Sequence, residues 1–314
     1  MLNNRVLICD SIDQAGIESL KKSGMAVEYH PDIKPDQLSS IAKNYDVLVV
    51  RSRTKITKQI FEASAPNPKI IARVGVGLDN IDVNEANARN IRVINSPEAA
   101  TNAVSELVLG LMLALARNIP LADIETKKGN WIKKNLTGIE LRGKYLGIVG
   151  VGNIGRNIGR LGNALRMNLI GYDIFPISKD FIKEVGLIVT DFDTLLQSAD
   201  FITCHVPLTT ETKKMFNKEK FSKMKPTAFL INTSRGEVID ENALHDALRD
   251  GKIAGAALDV YETEPPTNGM LMQLPNVIYT PHIGAQTKEA QELGAVVIAE
   301  KIIQTLQEIE IGEQ

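Results

Sequence analysis

Short apolar runs recur along this chain, each followed by a stretch with helical spacing. In the first part, Arg5 to Cys9, Met25 to Tyr29, Asp46 to Val50 and Lys69 to Val74 read as strands. Asp13 to Lys21 and Pro35 to Lys43 read as amphipathic helices between them. From Tyr145 to about Pro281 the rhythm starts again, with strands expected at Leu146–Val149, Leu169–Tyr172, Phe201–Cys204, Ala228–Ile231, Gly255–Leu258 and Val277–Tyr279. Repeated β–α alternation argues for parallel sheets, and parallel sheets gather ligands at the C-terminal ends of their strands. Thr287 to Gln307 reads as one long helix without a strand partner in the second part. It is expected to cross back to the first part and make that domain discontinuous, with 1–98 and 286–314 on one side and 99–285 on the other. Bends near Ser96–Ala100 and Gly284–Thr287 would then hinge a cleft.

Ala103 to Ala116, AVSELVLGLMLALA, interrupts the rhythm because it is apolar on nearly all faces. It falls short of the ~20 residues a membrane span needs and carries Glu106, so a buried helix at an interface, over 99–117, is the simpler reading. Composition agrees: 314 residues suit two domains, and 44% hydrophobic with 24% charged content is that of a soluble globular protein. A formal net charge of −2 gives no electrostatic case for nucleic acid or an anionic membrane surface. The N-terminus lacks a signal-peptide layout, and Cys9 and Cys204 sit in apolar runs as small core residues. A cytoplasmic setting follows as the default, and no metal site is expected.

Candidate chemistry begins at Tyr145. An apolar run leads into Gly150-x-Gly152-x-x-Gly155, a helical pattern follows, and a second apolar run stops at Asp173. That is the strand–turn–helix–strand context of a dinucleotide fingerprint. Gly150 would permit the tight turn, Gly152 a close approach of backbone to pyrophosphate, and Gly155 close packing of helix on strand. The helix start would offer unpaired N–H groups to the phosphates. A carboxylate at Asp173 suits the adenosine ribose hydroxyls and repels a 2′-phosphate, and Ile174 and Phe175 supply no Arg to welcome one, so NAD is expected over NADP.

Three further stretches put ionisable residues at strand ends: Asn232-Thr233-Ser234-Arg235-Gly236, Asp259-Val260-Tyr261-Glu262-Thr263-Glu264-Pro265-Pro266, and Pro281-His282-Ile283-Gly284-Ala285. With Gly150–Gly155, in this order and spacing, they make the chain resemble the D-isomer-specific 2-hydroxyacid dehydrogenases from first strand to last helix. The resemblance implies two doubly wound parallel-sheet α/β domains, a Rossmann cofactor domain inserted into a flavodoxin-like substrate domain. It implies Arg235, Glu264 and His282 as catalytic residues. An imidazole titrates in the working range, so His282 suits general base in oxidation and acid in reduction. A carboxylate beside it, Glu264, fixes the tautomer and favours the imidazolium. A guanidinium offers a planar fork to the substrate carboxylate. For the cofactor the resemblance adds Asn153, Ile154, Val206, Pro207, Thr233, Asp259 and the Ile283–Gly284–Ala285 turn. His205 could line that site and is assigned no chemistry.

Within the family, RSRTKIT (Arg51 to Thr57), ARVGVGLDNID (Ala72 to Asp82) and PHIGAQTKEAQ (Pro281 to Gln291) are most similar to the branch that oxidises D-3-phosphoglycerate to 3-phosphohydroxypyruvate, the first step of serine biosynthesis. Substrate contacts are implied at Arg51, Ser52, Gly75, Val76, Gly77 and Arg235. Arg53 and Lys55 are either solvated charges or phosphate ligands, and Lys133 or Lys134 could add charge from a neighbouring subunit of a homodimer or homotetramer. The chain stops at the long helix, so the regulatory domains that many members carry after the cofactor domain are expected to be absent. The alternatives are a reductase of hydroxypyruvate, glyoxylate or another unphosphorylated 2-oxoacid and, more distantly, an NAD-sensing corepressor.

Overall fold

The computed structural model describes residues 3–267 and 269–312, so the extreme ends of the ranges 1–98 and 286–314 lie outside the described residues. The chain forms two compact units, Met1–Ala100 with Ala285–Gln314, and Thr101–Gly284. Both are doubly wound parallel α/β structures, as expected.

The first unit carries β1 (Arg5–Ile8), β2 (Ala26–Tyr29), β3 (Val47–Val50), β4 (Ile70–Arg73) and β5 (Arg92–Asn95), all parallel, in the order β2-β1-β3-β4-β5. This is the flavodoxin-like order. Successive strand residues point to opposite faces, so Val6, Ile8, Val47 and Val49 enter one core layer, while Leu7, Leu48 and Val50 enter the other. The first layer is closed by Ile17 and Leu20 of the helix Gln14–Lys22 and by Ile298, Ile302 and Leu306 of the helix Lys288–Gly312. Strand β5 was not among the expected strands. It lies at the sheet edge, half-exposed, and its Arg-Val-Ile-Asn sequence has little apolar contrast.

The second unit carries β6 (Tyr145–Val149), β7 (Asn168–Tyr172), β8 (Ile188–Val189), β9 (Phe201–Cys204), β10 (Phe229–Asn232), β11 (Gly255–Leu258) and β12 (Val277–Tyr279). Their order, β12-β11-β10-β9-β6-β7-β8, reverses direction at the β6/β9 boundary, where such sheets bind ligands. The sequence reading placed six of these strands. The seventh, β8, is two exposed edge residues, too short to show a period.

By length and composition Pro97–Arg117 could cross a membrane. In this unit the helix Thr101–Arg117 buries Val104, Val108, Leu111, Met112 and Leu115, and packs on the helix Asn153–Ala164 and on β10 and β11. Cys9 and Cys204 are free and buried, and burial pushes their thiols up to about 12 and about 11.

One close approach in the first unit is testable. Gly16 faces Ala295 so tightly that a Cβ would sit 2.5 Å from the Ala295 carbonyl oxygen. Alanine gains about 1 kcal/mol in helix propensity, but overpacking against a backbone atom costs ~1–3 kcal/mol. Gly16→Ala is therefore expected to destabilise the protein, seen as a lower urea midpoint; an unchanged or higher midpoint would show that the two helices can separate at no cost.

Candidate active site

The glycine loop leaves β6 at Val149. Gly150 has φ +90°, a conformation L side chains rarely adopt, and a Cβ there would lie 2.7 Å from the His205 carbonyl oxygen. Gly155 is pressed against the Gly150 carbonyl, while around Gly152 there is open space. The helix Asn153–Ala164 starts at Gly152 without a side-chain cap, so its leading N–H groups, those of Asn153 and Ile154 among them, are free of one. Asp173, at the end of β7, accepts from Val151 N–H (2.7 Å) through Oδ2 and from Phe175 N–H (2.9 Å) through Oδ1, which holds its carboxylate beside the loop. Ile174 and Phe175 are largely exposed.

Two buried polar atoms at the ends of neighbouring strands have no hydrogen-bond partner among the described residues: Thr233 Oγ1 and His205 Nδ1. Orphaned groups of this kind are rare unless something else satisfies them. An open glycine, an uncapped helix start, a fixed carboxylate and an unsatisfied hydroxyl together fit a dinucleotide. Val206 and Pro207 follow His205 on the same edge.

The next three turns are tied to one another. Asn232 is fully buried; its Oδ1 accepts from Ser234 N–H (3.0 Å) and Ser234 Oγ (2.8 Å), and its Nδ2 donates to the Arg235 carbonyl (2.8 Å). Arg235 is presented from that closed turn, with Nη1 donating to the Ser234 carbonyl at 2.6 Å. Asp259, at the end of β11, is also fully buried, and its carboxylate accepts from Thr280 Oγ1 (2.6 Å), Ile283 N–H (2.8 Å) and Gly284 N–H (2.9 Å). A carboxylate has about four acceptor positions, so most of those of Asp259 are filled from within the chain. His282 N–H donates to the Asp259 carbonyl (2.9 Å), and the residue is held at φ +52°. There its Nδ1 lies 2.8 Å from Glu264 Oε2, with side-chain exposures of 48% and 39%. Nε2 is left without a partner among the described residues. A base, a carboxylate that orients it and a guanidinium on adjoining turns can hold a carboxylate-bearing molecule and move one proton.

In the first unit, Arg51 and Ser52 follow β3, and the buried Asp10 accepts from Arg51 N–H (2.6 Å), Thr54 N–H (3.2 Å) and Thr54 Oγ1 (2.8 Å). Arg53 has internal partners, though its side chain stays 49% exposed. Its guanidinium pairs with Asp10 (2.9 Å) and donates to the carbonyls of Cys9, Pro31 and Ile33 at 2.6, 2.7 and 3.0 Å. Among the described residues the Arg51 side chain makes a single long bond, to the Ser11 carbonyl at 3.3 Å. It lines a small pocket with Ile12, Val74, Gly75 and Gln291 at the C-terminal strand edge. Gly75 has φ +132°, with its N–H on Ser96 Oγ (3.0 Å) and the Arg73 guanidinium where a side chain would be. Ala285, expected with the cofactor group, belongs to this unit. A larger hollow of about 810 Å³, around Pro66, Lys69 and Arg92, lies at the opposite edge, where β4 and β5 begin. Lys133 and Lys134 lie in a short exposed turn of the second unit.

Residues 109–284 match the family model for the NAD-binding domain of D-isomer-specific 2-hydroxyacid dehydrogenases. The chain belongs to that family. The domain with the glycine loop is thus its NAD-binding domain, and NAD the cofactor its residues fit. The chain is 45% identical to D-3-phosphoglycerate dehydrogenase from Methanocaldococcus jannaschii, over 96% of this chain and 57% of that protein. It is 44% identical to hydroxypyruvate reductase from Thermotoga maritima, over 98% of this chain and 99% of that one. A glyoxylate reductase from Paecilomyes thermophila superposes with a TM-score of 0.88 at 28% identity, covering 96% of this chain and 95% of its own. The chain spans a little over half the length of the first three curated phosphoglycerate dehydrogenases it matches, at 56%, 57% and 53%.

Burial holds the His205 imidazole far below its usual 6.5, at about 3. Between those values the unfolded chain takes up a proton that the folded chain refuses, so stability present above pH 6.5 is lost as pH falls toward 3. A His205→Asn variant should lose less stability than the parent between pH 7.5 and pH 4.5 in urea titrations. Equal losses would mean that other groups carry the acid limb.

Proposed function

We propose that this dehydrogenase oxidises D-3-phosphoglycerate to 3-phosphohydroxypyruvate with NAD, the first step of serine biosynthesis, with His282 as acid/base. The observation that carries the reading is the 2.8 Å contact between His282 Nδ1 and Glu264 Oε2 on a turn bracketed by Asp259. With Nδ1–H donated to the carboxylate, Nε2 presents a lone pair, takes the substrate hydroxyl proton during oxidation, and returns it in reduction. Glu264 stabilises the imidazolium that results. Arg235 pairs with the substrate carboxylate and fixes the carbon that loses its hydrogen. Bound NAD supplies the hydride acceptor. The amides of Gly152, Asn153 and Ile154 receive its pyrophosphate, and Asp173 its adenosine ribose. Val206, Pro207, Thr233, Asp259, Gly284 and Ala285 complete the cofactor contacts.

Arg51, Ser52 and the Gly75–Gly77 backbone are assigned to the substrate. The phosphorylated acid is favoured by the names of the phosphoglycerate dehydrogenases among the relatives and by Arg51, whose charge is not matched by a carboxylate among the described residues. A second reading, reduction of hydroxypyruvate or glyoxylate, is favoured by the relative matched over its full length and by the internal bracing of Arg53. Association into a homodimer or homotetramer is supported by the helix Ile119–Lys127, which buries none of its residues and exposes Ile119, Leu121 and Ile124.

The test is NADH formation across D-3-phosphoglycerate, D-glycerate, D-lactate and 2-hydroxyglutarate. Activity confined to the first is expected; equal or better activity on D-glycerate would transfer the assignment to the unphosphorylated reading. Removing a general base costs roughly 10²–10⁴-fold, so His282→Ala should lower kcat by that order while NAD affinity persists. Near-parental turnover would remove His282 from the chemistry.

A further inference from the structure

Glu264 is loosely held by its own contacts. Apart from His282, its carboxylate receives among the described residues only a long bond from Tyr261 N–H, at 3.4 Å. Its placement must come from the backbone that carries it, and that backbone is gripped two residues earlier. Glu262 N–H donates to Glu241 Oε1 (2.8 Å), and Glu241 N–H donates to Glu262 Oε1 (3.2 Å). Each residue gives the other its amide and its carboxylate, across 21 positions of sequence.

The location explains why two carboxylates tolerate each other. Glu241 is the first residue of the helix Glu241–Arg249, so its N–H is one that the helix leaves unpaired, and the positive helix end favours negative charge there. Lys214 Nζ lies 3.5 Å from Glu262 and 3.3 Å from Asp240, which caps the same helix through Ala243 N–H (3.1 Å). Glu241 is only 9% exposed, which is unusual for a glutamate without a specific use. On the other side, Gly236, the neighbour of Arg235, abuts the Tyr261–Glu262 peptide so closely that a Cβ would overlap it. The grip therefore reaches both the Glu264 loop and the Arg235 turn.

We propose that Glu241 and Glu262 form a clasp whose task is to position Glu264 on His282. Both are positioning residues; neither touches the reacting atoms. The proposal rests on the roles given above to Glu264 and His282.

The test compares Glu241→Ala, Glu241→Gln, Glu264→Gln and the Glu241→Ala/Glu264→Gln double variant by the pH dependence of kcat/KM, by kcat and by KM. A misplaced catalytic group costs up to roughly 10²-fold, so Glu241→Ala should lower kcat by about 10–100-fold with little change in KM for NAD. Its pH profile should move to that of Glu264→Gln. Glu241→Gln retains an acceptor for Glu262 N–H and should recover most of the rate. The double variant should be no slower than Glu264→Gln alone, because the clasp acts through that carboxylate. Should Glu241→Ala fail to fold, Glu262→Ala, a change at a partly exposed side chain, is read in the same way. A lower melting temperature with an unmoved pH profile, or losses that multiply in the double variant, would overturn the clasp. If Glu264→Gln is severely impaired while the clasp variants are not, the clasp fails alone. If Glu264→Gln itself matches the parent, the clasp and the active-site reading fail together.

Discussion

One buried carboxylate governs the C-terminal strand edge of the second unit. Asp259 sits where β11 ends, fully out of solvent, and an ion in that position persists only if its oxygens are hydrogen-bonded. The bonds come from Thr280, Ile283 and Gly284, so satisfying the charge folds the chain after β12 into one shape. That shape places His282 in the left-handed region, at φ +52°. The Nδ1 contact to Glu264 follows from it.

The first unit uses the same device. Asp10, where β1 ends, is buried and draws in the amides of Arg51 and Thr54, the Thr54 hydroxyl and the Arg53 guanidinium. Parallel strands finish at a common edge, so a carboxylate at the end of one strand can organise the loop after another. Asn80 closes the arrangement, its Nδ2 donating to the carbonyls of Arg51 and Thr54 at 2.7 and 2.6 Å. Rigid loops on a rigid edge are what a site needs when it must align a carboxylate, a proton acceptor and a departing hydride.

How much of this is legible in the sequence depends on where the determining contacts lie. Central strands such as β1, β3 and β9 are buried on both faces and read as continuous apolar runs. The edge strands β5 and β8 are half-wet and leave no such trace. Gly150, Gly152 and Gly155 stand out because a tight turn, a close approach and a helix–strand contact each demand glycine. Arg235, Glu264 and His282 are ordinary residues taken singly, and only the spacing of the surrounding motifs separates them from solvated charges. Asp10, Arg53, Glu241 and Glu262 were not legible as structural groups. A charged residue in a loop looks solvated until its partner, here 21 or 44 positions away, is known to be adjacent.

The central claim is that hydride leaves C2 of a D-2-hydroxy acid while the hydroxyl proton goes to His282. It is tested most directly by oxidising D-3-phosphoglycerate carrying deuterium at C2 and locating the label. The account predicts deuterium in the NADH formed, on the reduced ring carbon, with none washed into solvent. Label in the water, or NADH formed without it, would contradict direct hydride transfer and with it the role given to the site.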